Sequence, residues 1–126
     1  KNFDKVRNHF GVNRIAQAGA LAALKDQRYL HEVVSLVAQG RARIGQIAGD
    51  QGLETITSAT NFVAIDCGQH AAFAKQVLTH LHDNGIFVRM PFATPQNRCI
   101  RVSAGSKSDL DLLELYLPLA LEAADV

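Results

Sequence analysis

Tryptophan is absent from this chain and aromatic residues make up only 6% of it, so the stacked aromatic platforms that hold single-stranded nucleic acid are not expected. An excess of one charge is lacking too. The formal net charge of +1 gives no general attraction to nucleic acid or to an anionic membrane surface. The two cysteines, Cys67 and Cys99, lie inside apolar segments and form neither a CxxC pair nor a disulfide framework. Both read as small buried thiols, and a reducing cytoplasm is the expected compartment. No apolar run is long enough to span a bilayer, and no stretch has the pattern of a signal peptide. The histidines suggest no metal site: His80 and His82 are two apart, which puts them on different faces of a helix, and His9, His31 and His70 are scattered. Glycines stand singly as breakers, without the spacing of a phosphate cradle, and no nucleophile elbow supports a serine triad.

What is present is ordinary for a soluble globular chain. Nearly half of the 126 residues are apolar and a fifth are charged, enough for one domain with a core. The chain opens on Lys1 rather than Met, directly into an amphipathic pattern, as expected of a piece of something longer. Phe3, Val6 and Phe10 give a weak helical repeat that Gly11 breaks. Asn13 caps a helix from Arg14 to about Leu24 in which Ala18, Gly19 and Ala22 make a smooth face for close packing. That helix is expected to dock away from the rest. Asp26 caps a longer helix to about Gly49, with Leu30, Val33, Val34, Val37, Ile44, Ile47 and Ala48 as its stripe. Strands are expected at Leu53–Ile56 and Asn61–Cys67, and a helix from His70 to Asn84 ends on Gly85. The last helix is capped by Ser106 or Ser108, with Asp109 and Asp111 at its positive end, and Pro118 must kink or restart it.

Between these last helices lies the most informative stretch, Asn84 to Gly105. Ile86-Phe87-Val88 and Cys99-Ile100-Arg101-Val102 flank a proline-containing connection and read as two strands. Alternation puts Ile100 and Val102 on one face and Cys99 and Arg101 on the other. A permanently charged guanidinium thus stands where a small sheet is normally covered. Its planar fork suits a carboxylate or phosphate. The plain structural alternatives are a surface arginine on an edge strand, or one tied to an internal carboxylate such as Asp66. Arg89, just past the first segment, supplies a second charge about one strand away. Asn61, polar in an apolar run, either bonds neighbouring backbone or lines a site. The element order gives an α+β sandwich: a small, mostly antiparallel sheet of three to four strands with helices on one face. A strand–helix–strand crossover over 61–88 would be right-handed if its strands were parallel and shared a sheet.

Four segments in order, Ile15–Asp26, Ser58–Asp66, Asn84–Pro91 and Cys99–Gly105, together resemble the C-terminal part of a fold-type I pyridoxal-phosphate aminotransferase of class I/II. The branch they most resemble is that of the histidinol-phosphate aminotransferases. The resemblance covers nearly the whole chain. It implies that 1–25 is the end of the large domain with a linking helix, and 26–126 the small domain. It also implies that Arg101 binds the substrate's α-carboxylate, or helps hold the phosphate in the histidinol-phosphate branch, where Arg89 contributes too. Met90-Pro91 departs from the polar or acidic residue expected there, which puts the substrate in question.

The resemblance further implies the cofactor pyridoxal 5'-phosphate, acting as electron sink, with amino acid and 2-oxo acid substrates and a homodimeric parent. The Schiff-base lysine, the aspartate facing the pyridine nitrogen and the phosphate cup belong upstream. Lys1, Lys5, Lys25, Lys75 and Lys107 do not lie in the lysine's motif, so the chain alone is expected to be inactive. Its share is substrate grip and domain closure. A related pyridoxal-phosphate decarboxylase acting on a phosphorylated amino acid would share these features. From another class, a stand-alone module could bind a small anionic metabolite through Arg101.

Overall fold

A three-stranded antiparallel sheet, in the order β1-β2-β3, forms the floor on which the site stands. The computed structural model describes residues 12–125; the repeat expected over Lys1–Phe10, the Gly11 break, Lys1, Lys5 and His9 lie outside the described residues. The elements are α1 (Arg14–Lys25), α2 (Gln27–Asp50), β1 (Glu54–Ile56), β2 (Phe62–Asp66), α3 (Ala71–Asp83), β3 (Cys99–Ser103) and α4 (Lys107–Ala124). A single 3-10 turn at Gln96–Arg98 leads into β3. The chain divides into two units, 1–35 and 36–126.

In the first unit, Asn13 caps α1 by accepting from the Ala16 N–H at 2.8 Å. No residue of α1 is buried. Asp26 Oδ1 accepts from Tyr29 N at 3.0 Å and so opens α2. The apolar stripe expected along α2 is only half used: Leu30 and Val34 are exposed, whereas Ile44, Ile47 and Ala48, within the second unit, are buried.

The second unit is built around one apolar cluster. Val63 and Ile65 of β2 and Ile100 and Val102 of β3 point to the same face and meet Ile44, Val77, Leu81, Leu113 and Leu117 from the helices. Alternation within each strand drives this choice of face. Each such side chain removed from water contributes about 1.5–3 kcal/mol. At Gly40 on α2 an added Cβ would meet that of Ala104 at 3.0 Å, so glycine lets this helix approach the end of β3. His70 Nδ1 accepts from Phe73 N at 3.1 Å to start α3, and Gly85, at φ +78°, turns the chain after it.

Two sequence expectations need correction. Ile86-Phe87-Val88 is not a strand: its segment joins the sheet only at an isolated bridge between Arg89 and Arg101. The next bonded position on one side is Pro91, which has no N–H to give the ladder. The crossover over 61–88 runs from β2 to that bridge segment; both are antiparallel to β3, so the two run parallel to each other with β3 between them. The strands number three among the described residues. Lastly, Pro118 does not restart α4, which continues from Lys107 to Ala124. Leu117, Ala120 and Ala124, all buried around it, hold that turn against the core.

Candidate functional site

The sheet face turned away from the apolar cluster carries the polar chemistry. Register puts Phe62, Ala64 and Asp66 of β2 on this face with Cys99, Arg101 and Ser103 of β3. Arg89 joins them. Its N–H donates to the Arg101 carbonyl at 3.1 Å, and the Arg101 N–H donates back to the Arg89 carbonyl at 2.6 Å. Residues that exchange both bonds stand directly opposite each other, with side chains on the same face. The two arginines are thus cross-strand neighbours, about one strand apart.

Both line a groove of about 1180 Å³. Its walls come from α3 (Lys75, Leu78, His82), from the segment Phe87–Ala93, and from Gln96 and Asn97 in the 3-10 turn. The lining is largely apolar apart from these cations and amides.

The other arginines of 36–126 are committed elsewhere. Arg43 bonds Asp111 at 2.5 Å and Glu114 at 2.6 Å, tying α2 to α4, and Arg41 donates to the Thr60 carbonyl at 2.9 Å. Arg98 donates to Asp66 Oδ2 from Nε at 2.9 Å and also from its terminal nitrogen. Burial alone would raise the Asp66 pKa, but the Arg98 hydrogen bonds, the Gly68 N–H and the Arg98 charge outweigh it and hold the carboxyl below its ordinary value. So Asp66 belongs to Arg98, and the structural alternative in which it ties down Arg101 does not hold.

Among the described residues Arg89 and Arg101 meet no carboxylate. Each has an aromatic ring instead. The Arg101 guanidinium carbon lies 4.7 Å from the centroid of Phe62, and that of Arg89 lies 5.7 Å from Phe87. A cation seated on a ring keeps its N–H edges free to donate. Two arginines opposite each other on the backbone, meeting no carboxylate among the described residues and lining one groove, make a receptor for a phosphate or carboxylate.

The remaining candidates separate from this site. The Asn61 carbonyl accepts from Ala104 N at 2.9 Å, and the residue precedes β2 outside the groove. Cys67 is buried, and burial pushes its thiol up to about 11; burial also raises Cys99, so neither is poised as a nucleophile. Of the groove residues, the sequence reading passed over His82, Phe87, Gln96 and Asn97. Phe87 had a signal, since it stands two before Arg89 and so shares its side of an extended segment.

Known proteins match this chain closely. The family model described as aminotransferase class I and II matches residues 1–114. Histidinol-phosphate aminotransferase 2 of Caulobacter vibrioides is 34% identical over 119 residues, covering 94% of this chain and 30% of the relative. Histidinol-phosphate aminotransferase 1 of Mesorhizobium japonicum is 35% identical over 109 residues, covering 86% of this chain and 29% of the relative. The crystal structure of histidinol-phosphate aminotransferase from Sinorhizobium meliloti in complex with pyridoxal-5'-phosphate superposes with a TM-score of 0.88 at 52% identity. That match covers 96% of this chain and 33% of the other. The chain spans about a third of the length of the relatives it matches.

The described residues do not by themselves fit pyridoxal phosphate. Lys75 is the groove's lysine, and none of the groove's lining side chains is a carboxylate that could face a pyridine nitrogen. Lys107 is paired with Asp111 at 3.2 Å, and Lys25 belongs to α1 in the first unit.

Proposed function

This chain belongs to the class I and II aminotransferases, and on that premise we propose that it is the substrate-gripping part of a pyridoxal-phosphate-dependent aminotransferase. In this reading 26–126 is the small domain and 1–25 the end of the large domain with its linking helix. The parent is a cytoplasmic homodimer. It transfers an amino group between an amino acid or amino-alcohol phosphate, histidinol phosphate foremost, and a 2-oxo acid. The names of the relatives support that substrate class.

The observation that carries the reading is the backbone-paired couple Arg89 and Arg101, side by side on the groove and free of any carboxylate among the described residues. Arg101 takes the substrate's anionic group through two parallel N–H bonds, and Arg89 adds a second charge on a phosphate. Leu78 and Met90 give the groove an apolar wall beside those bonds, and closure of the parent enzyme over it would strengthen them by shutting out water. The cofactor and its lysine belong to the remainder of the parent. This chain holds and orients the substrate, and its movement closes the site.

The test is Arg101→Ala in the full-length enzyme. Losing a charge-assisted fork should cost about 2–4 kcal/mol in kcat/KM toward the phosphorylated amine, while the affinity for pyridoxal phosphate stays unchanged. Unaltered kcat and KM would remove Arg101 from the site. A loss of cofactor affinity equal to the loss in kcat/KM would assign it to the cofactor instead.

A further inference from the structure

Arg89 reaches the groove from a segment with only one bridge to the sheet, so something else must hold it in place. In an antiparallel pair the residues on either side of a bonded one point their backbone groups away from the partner. The Val88 carbonyl therefore faces away from β3, where, among the described residues, no further strand donates to it. His82, in the last turn of α3, fills that place: its Nε2 donates to the Val88 oxygen at 2.8 Å. The same imidazole lies parallel to the Phe87 ring, with centroids 5.2 Å apart and planes 10° from each other. Phe87 in turn carries the Arg89 guanidinium at 5.7 Å. One side chain on a rigid helix thus grips the segment twice, by its backbone and by its ring.

Phe87 is 74% exposed, so the core does not need it. Its ring meets an imidazole and a guanidinium, and all three residues line the groove. We propose that His82 and Phe87 are positioning residues for Arg89: together they hold its guanidinium in the groove that Arg101 also lines, setting the two-arginine spacing that selects a phosphate over a smaller or singly contacted anion. The inference rests on the reading of Arg89 as a substrate-anion contact.

The experiment uses the full-length holoenzyme with Phe87→Leu, Phe87→Tyr and His82→Leu, each alone and combined with Arg89→Ala. The probes are the KM and kcat for the phosphorylated amine and the inhibition constant of inorganic phosphate. Phe87→Leu and His82→Leu should raise KM and the phosphate inhibition constant about two- to fivefold, the change an exposed cation–π contact is worth, with a much smaller change in kcat. Phe87→Tyr keeps the ring and should restore both constants. In the Arg89→Ala background the same changes should add nothing, because there is no guanidinium left to place. An Arg89→Ala effect with no Phe87→Leu effect would overturn the positioning role. So would a Phe87→Leu penalty of equal size with and without Arg89, which marks a merely structural residue. If Arg89→Ala itself leaves both constants unchanged, the anion reading of Arg89 falls, and this inference with it.

Discussion

Arg98 and Arg101 stand three positions apart and meet opposite fates. Arg98, at the end of the 3-10 turn, closes on Asp66 and pins the start of β3. Arg101, on the face that alternation assigns it, meets the Phe62 ring and, among the described residues, no carboxylate. The sequence-level argument for an anion clamp needed only that alternation, which is why Arg101 was legible. Arg89 was legible too, as a second charge about one strand away; that a single bridge rather than a strand brings it there was not, because Pro91 ends the ladder without leaving a periodic trace. His82 was passed over for a related reason: its partner, the Val88 carbonyl, is a backbone atom that no residue pattern reveals.

The carboxylates at this scale predict an acid response. Asp66 is held low by Arg98 against its own burial, Asp111 by Arg43 and Lys107, and Asp109 by Ser106. Each stays ionised in the folded chain where the unfolded chain would already be protonated. Their stabilisation is therefore complete above about pH 4 and is lost as pH falls through the lowered folded values. The thermal midpoint of the chain should hold down to about pH 4 and then drop. Asp66→Asn should lower the midpoint at pH 6 and flatten that drop, and a drop identical to the parent's would contradict the assignment.

Among the elements, α4 shows how local signals and packing share the work. Ser106 and Asp109 form a reciprocal cap: the Asp109 N–H donates to Ser106 Oγ at 3.3 Å and the Ser106 N–H to Asp109 Oδ2 at 2.8 Å. Ser106→Ala should cost about 1 kcal/mol in chemical denaturation. Leu113→Ala, at a side chain only 1% exposed, should cost about 2–5 kcal/mol, and a smaller loss than that of the cap would show that the core is misassigned. A cap by Ser106 or Ser108 was readable from sequence, though not the reciprocal bond to Asp109. The unbroken passage through Pro118 was not, since a missing N–H argues locally for a restart while the buried leucine and alanines around it argue for continuity. The same tension decided 86–88: β-branched and aromatic residues favoured a strand, but Pro91 stops the ladder after one bridge. On α2 the apolar period continued past the residues that the second unit buries, leaving Leu30 and Val34 exposed.

For the molecule as a whole, the α+β class, the helices over one sheet face and the family were legible, because short strands, capped helices and four ordered motifs all pointed the same way. The exposed apolar residues of α1, with Ile15 at 86% and Leu24 at 69% exposure, predict that the isolated 126-residue chain self-associates in sedimentation equilibrium. A monodisperse monomer would count against the reading of this chain as part of a larger enzyme. The central claim is that the chain grips the substrate's anion through the geometry of a guanidinium. It is tested most directly by titrating the phosphorylated amine into the full-length holoenzyme, parent against Arg101→Lys, and following the cofactor's absorbance. The charge is kept and only the fork is lost. The account predicts an apparent Kd at least about tenfold weaker, with an unchanged starting spectrum. A Kd equal to the parent's would mean that Arg101 contributes charge alone, and the proposed grip would be wrong.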